Sequence, residues 1–173
     1  MSNPILINTL RFVFLVLFQV LVLKQLVIGP IGPYSMDVIV FPLFILLLPV
    51  RTTRELLLLL GFVTGILVDM FYDSWGVHAS ACVFLAFARP AILRQLEPKG
   101  GYNVNYGLTI QRYKMPWFLR YCALSMALYL AFYFSMQVFT PVYILEILVK
   151  TILGFIASFI FSLILMLIFN PMD

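Results

Sequence analysis

Apolar residues fall in long runs separated by short polar clusters, and this pattern is the strongest signal in the chain. A helix rises about 1.5 Å per residue, so crossing a ~30 Å hydrocarbon layer takes about 20 residues. Six segments are read as spans on that basis, at about 8–28, 38–50, 55–73, 76–93, 117–139 and 143–169. The second, VIVFPLFILLLPV, is short and holds Pro42 and Pro49. It is expected to be a short, kinked or tilted span, or a segment that re-enters without crossing. Ahead of the third, TTRE gives Thr52 and Glu55 the spacing of a capping box, which predicts a helix start just after Pro49. No repeat of about 20–50 residues interrupts the series, so the expected fold is an all-α integral membrane protein. It forms a six-transmembrane-helix bundle, a single domain over 1–173.

The polar connection at about 94–116 is the one sizeable segment outside the spans. There Val104, Tyr106, Leu108 and Ile110 alternate with Asn105, Gly107, Thr109 and Gln111, a period of two that suggests extended structure. Two readings stand: a basic loop resting on anionic headgroups, or a docking strand for a cytoplasmic partner.

Composition sharpens the membrane reading. With 64% hydrophobic residues, 10% charged and a mean hydropathy of +1.08, the chain lacks the polar surface of a water-soluble domain. The first run has Arg11 at its start and Lys24 near its end, and is expected to be a retained span rather than a signal peptide. With six spans, nine basic residues gather toward one side: Arg11, Arg51, Arg54, Arg89, Arg94, Lys99, Arg112, Lys114 and Arg120. Only Lys24 and Lys150 face the other, so both termini are expected in the cytoplasm. Asp37, Asp69, Asp73 and Glu146 fall toward the outer side. Cys82 and Cys122 lie within apolar runs and read as soft core residues.

The candidate chemistry is concentrated in GILVDMFYDSWGVHAS, residues 65–80. An acid within a bilayer is expensive and marks a functional position by default. Gly61, Gly65, Asp69 and Asp73 recur every four residues and share one helix face. The glycine pair permits a close helix approach, and Asp69 continues its face inward. Its carboxylate is expected either to hold backbone amides beyond Gly76 or to meet His78, while Asp73 is solvated. Arg89 lies ~12 Å deeper along the axis than Asp69. It is therefore expected to snorkel to the cytoplasmic headgroups. Gln19, Thr64, Ser80, Ser125, Gln137 and Ser158 are scattered without visible convergence. No nucleophile elbow, zinc motif or paired acid–base constellation occurs, so neither an enzyme nor a cofactor or metal site is expected.

The stretch from Leu60 to Arg89, LGFVTGILVDMFYDSWGVHASACVFLAFAR, resembles the rod shape-determining protein MreD family, in its Bacteroidetes-like version. The shared pattern is a glycine, an aspartate four residues later, a glycine beyond the turn and a small residue. Gly65, Asp69, Gly76 and Ala79 occupy those positions, and length, span count and the Pro-rich second span agree. Asp73 and His78 stand outside the pattern and take no role from it. The resemblance implies a subunit of the cell-wall elongation machinery in the bacterial inner membrane. Its implied partners are an MreC-like periplasmic protein, the elongation glycosyltransferase and transpeptidase pair, and an MreB-like filament. It also implies the fold of the substrate-binding components of energy-coupling-factor transporters, which makes a vitamin transporter component the alternative function. Gly61, Gly65, Asp69, Gly76, His78 and Ala79 are the candidates for a structural or partner-facing site. Membrane lipids, and no nucleic acid, complete the expected partners.

Overall fold

A computed structural model describes residues 4–26, 37–103 and 107–169. Among these, seven α-helices occur and no strand: α1 (Pro4–Leu21), α2 (Leu43–Leu47), α3 (Arg54–Tyr72), α4 (Val77–Gln95), α5 (Ile110–Tyr113), α6 (Met115–Val138) and α7 (Ile144–Phe169). The runs around α1, α3, α4, α6 and α7 are long and apolar enough to cross a membrane. The protein is a multi-pass helical bundle whose outer surface suits lipid. On α7, Leu148, Ile152, Ile156, Ile160, Ile164 and Ile168 recur every four residues and are all exposed. In water that stripe would be a large exposed apolar patch; against acyl chains it costs nothing.

Helices α3 and α4 pack antiparallel along the glycine face. A Cβ built on Gly61 would sit 3.0 Å from the Cys82 carbonyl oxygen, and one on Gly65 only 2.3 Å from Ala79 Cα. Side chains are absent there because two backbones touch. Helix α6 packs against α4, and α7 against α6.

The segment at 38–50 is neither a helical span nor a surface re-entrant loop. Val38–Val40 carry no regular secondary structure, and only Leu43–Leu47 are helical. Every residue from Val38 to Leu48 is buried. Its first residues lie beside α7, where Asp37 oxygen approaches Gly154, and its last carbonyls meet α4 and α6. Pro42 sits at the N-cap of α2 and Pro49 just beyond its end, where each costs no helical hydrogen bond.

Three further expectations are corrected. Thr52 and Glu55 form no capping box: the Thr52 hydroxyl donates to the Pro49 carbonyl at 2.8 Å. The N-cap of α3 is Thr53, without a side-chain bond. The alternation after residue 103 makes no strand among the described residues, since Ile110–Tyr113 are helical. Val104, Asn105 and Tyr106 lie outside the described residues. The first span is not one continuous α-helix: α1 ends at Leu21 and passes into a 3-10 turn at Leu23–Gln25, and the expected limit at 28 lies outside the described residues.

Candidate functional site

The α3–α4 turn is built around one carboxylate. Asp69 is fully buried, one turn before the end of α3. Its Oδ1 accepts from Ser74 Oγ at 2.9 Å and from His78 N at 3.0 Å. Its Oδ2 accepts from the backbone N–H groups of Gly76 and Ala79, each at 3.0 Å. The opening turn of a helix leaves its first N–H groups without helical acceptors. An N-cap side chain ordinarily supplies one, yet the N-cap of α4 is Gly76. Asp69 caps α4 from the preceding helix, placing negative charge at the positive end of its dipole.

Each neighbour in the motif follows from that geometry. Gly65 lets the Ala79 backbone come close enough for its N–H to reach Asp69. Gly76 takes φ +89°, where a Cβ is unfavourable although nothing crowds it within 4 Å. Ala79 is buried, and its backbone N and Cα lie directly against Gly65 of α3. Asp73 closes α3 in the left-handed conformation at φ 53° and is exposed.

His78 does not pair with Asp69 through its ring; its backbone N–H does. The imidazole points into the bundle, where Nδ1 lies 3.2 Å from Tyr129 Oη. Tyr133 stacks on the ring at 4.5 Å, and Tyr72 and Phe41 meet it edge-on at 5.0 and 5.6 Å. Nε2 is buried and has no partner among the described residues.

No family model, curated protein or solved structure matches this chain.

A second polar site escapes sequence reading. Gln19 of α1 and Ser158 of α7, 139 positions apart, converge on the irregular stretch Val38–Val40. Gln19 Nε2 donates to the Val38 carbonyl at 2.9 Å, and its Oε1 accepts from Val40 N at 2.8 Å. The side chain thus imitates a neighbouring β-strand for a segment that has none. Ile39 N donates to Ser158 Oγ at 2.8 Å. Gln19 also donates to Tyr72 Oη at 2.7 Å, tying this arrangement to the end of α3. At the other end of the segment, Tyr121 donates to the Leu46 carbonyl at 3.1 Å and Arg89 to that of Leu48.

Arg89 therefore does not snorkel. It is 2% exposed, and its Nε donates to Tyr121 Oη at 3.0 Å. Non-helical backbone at membrane depth survives only where protein satisfies its polar groups, and these four side chains do that. Sequence offered one faint signal: Gln19 is the sole amide between Arg11 and Lys24. Its target, a backbone group, leaves no mark in sequence. Among the described residues no group of three or more His, Cys, Asp or Glu is placed to hold a metal.

Proposed function

We propose that this protein is a non-catalytic scaffold of the bacterial inner membrane, an MreD-like subunit of the cell-wall elongation complex. In this reading both termini are cytoplasmic and the buried segment at 38–50 is the sixth crossing. The fold would then be that of energy-coupling-factor substrate-binding components. Its partners are an MreC-like periplasmic protein, the elongation glycosyltransferase and transpeptidase pair, and an MreB-like filament.

One observation carries the reading: Val38–Leu48 are buried among α1, α3, α4, α6 and α7, filling the middle of the bundle with the protein's own chain. A transporter component needs that interior for substrate. A scaffold needs fixed outer surfaces, and the Asp69 cap supplies one by locking the α3–α4 turn that exposes Trp75. The resemblance in Gly65, Asp69, Gly76 and Ala79 then concerns a structural device, and each of the four has a packing or capping reason.

Depletion in the native host, scored by cell width and by lateral incorporation of a fluorescent D-amino acid, tests the proposal. Widened cells with lost lateral labelling, and co-purification of an MreC-like protein with tagged chain, are expected. Unchanged shape and labelling, with loss of uptake of a vitamin, would replace it by the transporter reading.

A further inference from the structure

At the basic end of the bundle, α3 and α4 diverge around a cleft of about 360 Å³ whose lining includes Thr52, Arg54, Arg89, Arg94, Glu97 and Tyr102. Three of these six are arginines and one is acidic. Arg89 is buried and spends Nε on Tyr121 and Nη2 on Leu48, leaving Nη1 without a protein acceptor among the described residues. No carboxylate within the described residues forms an ion pair with it. A buried guanidinium ordinarily has a charged partner, because desolvating it is costly.

The cleft has further donors. Arg54 rests face-on against Phe87, its guanidinium carbon 4.7 Å from the ring centre. Stacking of that kind leaves in-plane N–H groups free. Arg94 is exposed on the last turn of α4. The N-terminal turn of α3 contributes Arg54 and Leu57 to the lining, Thr52 joins them from just before the helix, and the N-cap Thr53 makes no side-chain capping bond. Uncapped N–H groups and the positive end of a 19-residue helix therefore lie beside three guanidiniums. The Tyr102 phenol is neutral at pH 7, so Glu97 is the one acidic group in this lining.

We propose that this cleft binds a phosphate group, with Arg89 as its floor and Arg54 and Arg94 as its walls. The same chemistry is offered by an anionic phospholipid headgroup and by a soluble phosphate compound. The position, at the end of two membrane-length helices, favours the headgroup. The proposal does not depend on the elongation reading.

Native mass spectrometry of the purified chain in an uncharged detergent, titrated with phosphatidylglycerol or phosphatidylcholine, tests the lipid arm. Thermal unfolding in sodium phosphate against sodium chloride at matched ionic strength tests the soluble arm. The double variant Arg54→Gln/Arg94→Gln changes two exposed side chains, and Lys99→Gln, exposed outside the cleft lining, is the control. The double variant should lose retained phosphatidylglycerol by about thirtyfold while Lys99→Gln keeps it, since each of the two basic groups near the surface contributes about 1 kcal/mol. Stabilisation of wild type by inorganic phosphate, lost in the double variant and without preference for phosphatidylglycerol, assigns the cleft to a soluble phosphate. Equal losses in the double variant and in Lys99→Gln would overturn the site as diffuse surface charge. Indifference of wild type to both anions would overturn it outright. Should the double variant misfold, Arg94→Gln alone is read by the same criteria.

Discussion

Asp69 has four donors and no spare acceptor role, and this makes its substitutions unequal. Asparagine keeps the shape but presents one acceptor and an NH₂ group, so whichever way it turns, a donor faces a donor. Asp69→Asn should lower unfolding stability by about 1–3 kcal/mol, and Asp69→Leu by more, because three backbone N–H groups lose their acceptor. Unfolding of the purified chain in mixed detergent micelles measures both. A leucine variant as stable as wild type would show that the cap is dispensable. Gly65 and Gly76 fail for different reasons. At Gly65 a methyl must be moved by about 1 Å to reach ordinary contact with Ala79 Cα, and a backbone cannot yield as a side chain does. Gly65→Ala should cost about 3 kcal/mol or more and separate α3 from α4. Gly76→Ala meets open space and bears only the left-handed penalty, about 1–2 kcal/mol, much of which Gly76→Asn should recover. Equal effects at the two glycines would contradict this distinction.

At the scale of the element, the decisive piece is the buried, largely irregular segment between Val38 and Leu48. A helix satisfies its own backbone, whereas this segment depends on side chains from four helices. Gln19→Leu strips the Val38 carbonyl and the Val40 N–H of their partners and should cost about 2–5 kcal/mol. Ser158→Ala removes one acceptor from Ile39 and should cost less. Ser125 provides the contrast, being equally buried but with an Oγ that has no partner among the described residues. Ser125→Ala should be neutral or slightly stabilising. The same micelle unfolding assay ranks the three, and a Gln19 variant no weaker than the Ser125 variant would show that the segment does not rely on the amide. Arg89 and Tyr121 hold the other end of the segment, so the phosphate cleft and this segment share one guanidinium.

For the whole molecule, the asymmetry of basic residues makes a prediction about sidedness. The native thiols, Cys82 and Cys122, are fully buried and should give no background with a membrane-impermeant maleimide. Lys99→Cys should label in intact spheroplasts only after permeabilisation, and Trp75→Cys, 77% exposed at the α3–α4 turn, should label without it. The reverse pattern would invert the orientation and move the phosphate cleft to the outer surface.

The apolar runs alone determined that the chain is helical and suited to lipid, because continuous apolar runs of about 20 residues match a membrane-length helix rather than the shorter, alternating strands of a barrel. Where a run was long, as in α3, α4, α6 and α7, its limits were legible to within about two residues, since length and polarity both end it. The four-residue spacing of Gly61, Gly65 and Asp69 was legible as one helix face for the same local reason. What lay opposite that face was not. Only the tertiary structure decided that the Asp69 carboxylate takes three backbone amides of the next helix, leaving the His78 ring to an aromatic surround. It also decided that Gln19 and Ser158 serve the non-helical stretch Val38–Val40, and that Arg89 turns inward. In each case the partner is a backbone group or a residue distant in sequence. Period and composition record the environment of a side chain, not the address of the atom it bonds.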